Sequence, residues 1–228
     1  MTISENGIKL IKEFEGCKLT AYRDIVGVLT IGYGNTNYDK DIVGEITEGM
    51  TITQKQADEW LEKTLKLRYV PKVLKYHGKY HFNQNEFDAL VSYAYNIGSI
   101  DKLVDYGRRT IEEISADFPN HDHAGGKVVK GLTMRRKKER ALFDTPAYSV
   151  GWNNDNVGYW WSPDGKRYIC DDWMVINWHK YYFNKDGYSV VGWHKIGENW
   201  YYFEPGGPLE GALYLTDENG VQKPGRFV

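Results

Sequence analysis

Two carboxylates and a hydroxyl stand at fixed separations near the start of the chain. In residues 14–34, FEGCKLTAYRDIVGVLTIGYG, Glu15 is followed by eight residues and then Asp24, and Asp24 by five residues and then Thr30. A carboxyl protonated near neutral pH can serve as a general acid, and an ionised carboxylate beside a hydroxyl can hold or polarise a water. Taken singly, each is an ordinary solvated or structural side chain. Their conjunction at this spacing is less ordinary.

The flanking residues indicate how this set is positioned. Ser4 suits the N-cap of a first helix. Ile8, Ile11 and Glu15 then fall at i, i+3 and i+7, one helical face, which places Glu15 on the stripe to be buried. Gly16 is expected to end that helix in a left-handed cap. A carboxyl at the end of an apolar stripe loses solvation, and desolvation raises its pKa. Residues 20–24 and 28–33 are rich in β-branched and aromatic side chains and are separated by Ile25, Val26 and Gly27. They read as a hairpin with Asp24 at the turn and Thr30 on the return strand. Gly32 and Gly34 leave room for a ligand to approach the backbone.

This stretch resembles the phage-type lysozymes, the muramidases of T-even and lambdoid phages, whose signature is the same Glu/Asp/Thr spacing followed by TIGYG or TIGIG. The resemblance implies a lysozyme-like α+β domain, mostly helical, over residues 1–145. It implies hydrolysis of the β-1,4 bond between N-acetylmuramic acid and N-acetylglucosamine in peptidoglycan, with inversion at the anomeric carbon. Glu15 would protonate the leaving oxygen, and Asp24 and Thr30 would hold or polarise the attacking water, with no metal or organic cofactor. The relatives often carry His where Asn35 stands, so a polar contact there must be made differently.

Further blocks carry the same resemblance. In TITQKQADEWL, Thr53 caps a helix with Gln56 as box partner, and Ala57, Trp60, Leu61, Thr64 and Leu65 follow at helical spacing, with Trp60 assigned to the core. QNEFDALVSYAYNIGS is similar to the family's buried central helix, with Gly98 as its C-cap. Residues 99–123 depart from the family text. There His121, Asp122 and His123 read as a polar loop, since no second ligand pair lies at zinc or calcium spacing. AGGKVVKGLTMRRKKERALF returns to the pattern, with a tight turn at Gly125 and Gly126. Seven Lys or Arg lie between Lys127 and Arg140 against one acid, Glu139. They form either a solvated helix face or an attraction to an anionic wall polymer. The family implies that Arg135 or Arg136 braces the active-site region.

The composition of the 228 residues is that of an ordinary folded protein, 41% hydrophobic and 26% charged. A net charge of −2 gives no overall pull toward nucleic acid or anionic membrane. Cys17 and Cys170 are too few for a disulfide framework and suit free thiols inside a cell. No signal-peptide pattern and no membrane-spanning apolar run is present, so the expected location is the host cytoplasm until a holin or another membrane lesion gives access to the wall.

The aromatic residues are uneven: residues 150–228 carry seven of the eight Trp and 18 of the 34 aromatics. Residues 146–149, with Pro146, read as a linker before this region. Gly151-Trp152, Asp172-Trp173, Gly192-Trp193 and Ala212-Leu213 recur at intervals of 21, 20 and 20 residues. Blocks such as Tyr181-Tyr182-Phe183 and Tyr201-Tyr202-Phe203 lie between them, each followed by a turn signal. The period predicts a small all-β module of stacked hairpins, each leaning on the next. The repeats resemble the choline-binding repeats of Gram-positive wall proteins, in which aromatics of successive hairpins enclose a quaternary ammonium. By position the resemblance implies three cages: Trp152, Trp160 and Tyr182; Trp173, Tyr181 and Tyr202; Trp193, Trp200 and Tyr214. Peptidoglycan and a choline-bearing teichoic acid or other wall polymer are the implied partners, without nucleic acid or membrane insertion. A lytic transglycosylase using Glu15 alone, and a non-catalytic choline-binding surface protein, are the rival readings. The retained Asp24 and Thr30 argue against the first, and the intact triad spacing and lack of an export signal against the second.

Overall fold

The computed structural model describes residues 1–216 and the backbone of residues 222–224. Residues 217–221 and 225–228, the end of the expected repeat module, lie outside the described residues. The chain forms two compact units, Met1–Thr145 and Pro146–Val228.

The first unit opens with α1 (Glu5–Glu15), capped by Ser4, whose Oγ accepts from the Asn6 amide at 3.2 Å. The helix stops after Glu15 because Gly16 takes φ 65° and ψ 172°. This is a positive φ but an extended ψ, so the expected left-handed cap is instead an abrupt turn into the sheet. Strands β1 (Lys18–Arg23), β2 (Leu29–Gly32) and β3 (Asn35–Thr36) form one antiparallel sheet in that order. A short α2 (Lys40–Val43) follows. Then comes α3 (Gln54–Thr64), whose Thr53–Gln56 capping box is formed in both directions.

A π-helical turn, Leu65–Tyr69, runs from α3 into α4 (Val70–Tyr80). Pro71 stands in the first turn of α4 and cannot donate to the carbonyl four residues back, so the helix widens just before it. Helix α5 (Gln84–Ile97) is the buried centre, capped reciprocally by Asn83 and Glu86 at 3.0 Å each way and ended by Gly98 at φ 96°. In the stretch that departs from the family text, Thr110 and Glu113 form a capping box for α6 (Ile111–Asp117). Strands β4 (His123–Ala124) and β5 (Lys127–Val128) make a minimal hairpin through Gly125 and Gly126, both at positive φ. Helix α7 (Lys130–Asp144) closes the unit against α5.

Helix α1 is held to α5 by two features. The Asp88 carboxylate, fully buried on α5, accepts from the Ser4 amide at 2.9 Å and from the Ser4 hydroxyl. Gly7 then faces α5 so closely that an added Cβ would lie 2.7 Å from Ile3 Cγ1 and 2.8 Å from Asp88 Cβ. These contacts aim the last turn of α1, which carries Glu15.

The second unit is a series of two-stranded hairpins: β6 (Gly151–Asn154) with β7 (Tyr159–Ser162), β8 (Asp172–Ile176) with β9 (His179–Phe183), β10 (Gly192–Ile196) with β11 (Asn199–Phe203), and β12 (Tyr214–Thr216) with β13 (Gln222–Pro224). Their registers repeat, with Trp152 opposite Trp161, Trp173 opposite Tyr182 and Trp193 opposite Tyr202. The segment after each hairpin bonds back to the preceding one: the Ser189 amide donates to Tyr159 O and the Leu213 amide to Lys180 O, each at 2.8 Å. Phe183 and Phe203 are fully buried, so stacking supplies the core that no single hairpin has. Residues 146–149 are not a free linker. Ala147 and Tyr148 donate their amides to Gly165 O, and the Ser149 amide bonds to Asn153 Oδ1, which ties the segment into this unit.

Gly7→Ala should test the clamp on α1. Overpacking of this kind costs about 1–3 kcal/mol. Chemical denaturation should show that loss, and lytic activity should fall although the substitution lies two turns from Glu15.

Candidate functional site

Glu15, at the end of α1, does not sit alone on an apolar stripe. Its side chain is 23% exposed, and its Oε1 accepts from Arg135 Nη1 of α7 at 2.5 Å. Arg135 is itself 4% exposed and donates Nε to Glu139 Oε1 at 3.0 Å and Nη2 to the Ser92 carbonyl at 3.1 Å. One buried guanidinium therefore joins α1, α5 and α7 behind Glu15. The neighbouring Arg136 turns elsewhere, to Glu139 Oε2 at 2.9 Å and Asn96 Oδ1 at 2.9 Å. Burial pushes the Glu139 carboxyl up and the Arg136 guanidinium down. Among the described residues, Glu15 Oε2 has no protein partner. Tyr95 stands nearby and donates to the Tyr33 carbonyl at 2.7 Å. Burial, and then the Glu15 charge, hold its phenol well above the usual range.

Asp24 and Thr30 meet through Val28. The Asp24 amide donates to Val28 O at 2.9 Å, and Asp24 Oδ1 accepts from the Val26 and Val28 amides at 3.0 and 2.8 Å. Thr30 lies opposite Tyr22 in the sheet, is buried, and donates its hydroxyl to the same Val28 carbonyl at 3.0 Å. This fixes both groups. Among the described residues Asp24 Oδ2 has no protein partner, and the Thr30 oxygen retains lone pairs to accept from water. Asn35, on β3, is buried and donates to Thr64 Oγ1 at 3.0 Å, the alternative contact its substitution for His requires.

The basic run divides into two internal arginines and five exposed side chains. Arg135 and Arg136 are internal, Lys138 pairs with Glu13, and Arg140 lies 3.5 Å from Asp144. Lys127, Lys130, Lys137, Lys138 and Arg140 are exposed, so most of the run is a solvated helix face. His121 pairs with Asp117 and His123 with Asp122, each at 2.8 Å, and Asp122 also accepts from Thr133. Among the described residues no group of three such side chains is placed to hold a metal.

In the second unit the ring contacts differ from the three expected sets. Trp152 meets Tyr181 of the next hairpin at 5.0 Å and 72°, and Tyr159 of its own at 6.4 Å. Trp173 meets Tyr201 at 5.0 Å and 72°, the same geometry one repeat on. The partners of Trp152 are thus Tyr159 and Tyr181, not Trp160 and Tyr182, and the partner of Trp173 on the next hairpin is Tyr201, not Tyr202. The cause is strand parity. Trp152 pairs with Trp161, so Tyr159 shares its face while Trp160 points to the other, and a shift of one residue exchanges faces. Trp160 instead meets Tyr148 and Tyr188, Tyr181 faces the preceding hairpin, and Tyr182 pairs with Trp173 in its own. In the third set, register puts Trp193 and Trp200 on one face of their hairpin, but Trp193 meets Tyr202 at 5.1 Å and Tyr214 also meets Tyr202, at 5.0 Å. Trp193 and Trp200 are 59% and 63% exposed.

The corresponding positions differ in what they offer a ligand. The first opens a cavity of about 300 Å³ lined by Trp152, Tyr159 and Tyr181 with Gly207, Pro208 and Glu210. In the second, register puts Lys180 where Tyr159 and Trp200 stand in the flanking hairpins, and its ammonium lies 4.6 Å from the Trp173 ring centroid.

Comparisons with known proteins agree with this geometry. Residues 12–139 match the family model for phage lysozyme, and residues 171–207 match that for a choline-binding repeat. The endolysin of Lactococcus phage c2 is 41% identical over 161 residues, 69% of this chain and 67% of the relative. The endolysin of Salmonella phage P22 is 35% identical over 152 residues, 63% of this chain and 98% of the relative. Among solved structures, the endolysin from Escherichia coli O157:H7 phage FAHEc1 superposes with a TM-score of 0.55 at 32% identity, covering 65% of this chain and 97% of that one. The chain therefore belongs to the phage lysozyme family: it is a peptidoglycan-cleaving enzyme whose second unit carries choline-binding repeats.

Proposed function

We propose that the first unit is an inverting N-acetylmuramidase. The observation that carries this reading is the Asp24–Val28–Thr30 arrangement: a transglycosylase needs the acid alone, whereas hydrolysis needs a held water. Arg135 pins Glu15 Oε1, which leaves Oε2 to carry the proton for the leaving glycosidic oxygen. Asp24 Oδ2 takes a proton from the water as that water attacks the anomeric carbon from the opposite face. The Thr30 oxygen accepts the water's other hydrogen and fixes its approach. Inverting pairs leave about 6.5–9.5 Å between carboxyls for this water. The product is a new reducing end of inverted configuration.

The second unit binds a trimethylammonium-bearing wall polymer, such as a choline-decorated teichoic acid, at the first and third cages. Trp152, Tyr159 and Tyr181 supply ring faces beside Glu210 in the first. Trp193 and Trp200 supply exposed rings in the third. The second position already holds a cation, the Lys180 ammonium. None of the described helices is long and apolar enough to cross a membrane, which fits access to the wall through a holin-type lesion.

Glu15→Gln should retain fold and wall binding and lose about 100- to 10,000-fold in turnover, measured by release of reducing ends from purified peptidoglycan. Anhydro-muramic ends among the wild-type products would instead establish a transglycosylase. Arg135→Ala strips a charge partner from buried Glu139, so it should cost about 3–5 kcal/mol in chemical denaturation as well as activity. Lys180→Tyr should free the second cage and raise the number of choline sites per chain in calorimetry. An unchanged stoichiometry would mean that Lys180 does not fill a ligand position.

A further inference from the structure

We propose that an aromatic box on the opposite face of the first hairpin is a separate site for a substituted ammonium ion. Its walls are Tyr148, Trp160, Tyr168 and Tyr188, around a cavity of about 180 Å³. Neighbouring rings stand nearly at right angles: Tyr148 and Trp160 at 6.5 Å and 83°, Tyr148 and Tyr168 at 6.0 Å and 74°, Trp160 and Tyr188 at 6.1 Å and 86°. Perpendicular rings line adjacent sides of a box. The space is well above the roughly 10–15 Å³ that one water needs. Two carboxylates, Asp155 and Asp186, complete the lining.

The box is built rather than left over. Tyr148, Tyr168 and Tyr188 recur every 20 residues, one before each of the first three hairpins. Gly187, at φ 89°, has no Cβ to offer, and the Tyr168 ring occupies the place one would take. Asp155 Oδ1 accepts from the Val157 and Gly158 amides at 2.7 and 3.2 Å, and Oδ2 accepts from the Tyr188 hydroxyl at 3.0 Å. One carboxylate is therefore fixed and spends its lone pairs on the walls. Asp186 is exposed, and among the described residues its carboxylate has no protein partner.

These features select the ligand's chemistry. Ring faces attract a cation and exclude an anion, and the two carboxylates add negative charge. A strongly hydrated metal ion has no use for apolar walls. An alkylated ammonium fits both, its methyl or methylene groups against the rings and its charge toward Asp186. The site is independent of the inter-hairpin cages, because Trp160 and Tyr159 lie on opposite faces of β7. Its ligand can come from a trimethylammonium head or from a primary amine on an alkyl stem.

The test uses the full chain with 15N-labelled tryptophan, and Trp160→Phe assigns the Trp160 indole signal. Titration with tetramethylammonium chloride, against a sodium chloride control, should shift that signal, and 3,3-dimethylbutanol should leave it in place. Butylammonium chloride in a parallel arm identifies which ammonium source the box prefers. Asp186→Asn should weaken the Trp160 response about fivefold, the effect of one charge near 4 Å in water-like surroundings, and leave the Trp193 response unchanged. A Trp160 signal unmoved by either ammonium, an equal response to the neutral alcohol, or an unchanged affinity in Asp186→Asn would each overturn the proposal. Failure of Trp152 and Trp193 to respond, with Trp160 responding, would remove the cages and leave the box standing.

Discussion

The first unit depends on one buried guanidinium. Arg135 reaches across the interface of α1, α5 and α7 to Glu15, Ser92 and Glu139. Burying a charged group costs several kcal/mol, and replacing a buried ion pair by apolar side chains is often neutral or stabilising. Stability alone does not account for it. Its consequence here is positional: Arg135 fixes Glu15 at the end of a helix that would otherwise be free to fray. Glu139 keeps Arg135 from being an uncompensated charge, and Arg136 does the same for Glu139 from the other side. The Asp88 clamp at the start of α1 and the Arg135 pair at its end hold the helix at both termini. Gly7 sets its distance from α5 in between.

The other half of the site is rigid for a different reason. Asp24 and Thr30 are held by a hairpin turn whose hydrogen bonds converge on Val28. Such a turn is specified locally and needs little from the rest of the fold. Glu15 is therefore placed by long-range packing and Asp24 and Thr30 by local backbone geometry, with the abrupt stop at Gly16 between them. This division gives each carboxyl its own surroundings: a guanidinium for Glu15, backbone amides for Asp24.

The second unit applies a different principle, repetition without identity. Successive hairpins keep the same register and the same contact of a leading Trp with the next hairpin's Tyr at 5.0 Å and 72°. The residue at the third corner varies as Tyr159, Lys180 and Trp200. That residue changes without changing how the repeats stack, because the stacking rests on Phe183 and Phe203 on the buried side.

Much of this was legible in the sequence because it is local. The Glu15/Asp24/Thr30 spacing, the caps at Ser4, Thr53 and Gly98, the glycine turn at Gly125 and Gly126 and the 20-residue aromatic period all act within a few residues or within one repeat. Helix α6 went unread, although its Thr110 and Glu113 capping box is equally local. Tertiary structure decided what depends on contacts between distant segments. It chose Arg135 over Arg136 as the partner of Glu15, since adjacent side chains on a helix leave it in different directions and only Arg135 points toward α1. It turned an expected desolvated carboxyl into a paired one. It tied residues 146–149 into the second unit through Gly165. It also set the parity of each aromatic strand, and with it which rings meet. Side chains alternate with a period of two, so a one-residue difference in register sends every ring to the opposite face, and composition is the same either way. The sequence by itself determined that aromatic hairpins would stack; which rings meet between them was decided by the pairing of Trp152 with Trp161 and Trp173 with Tyr182.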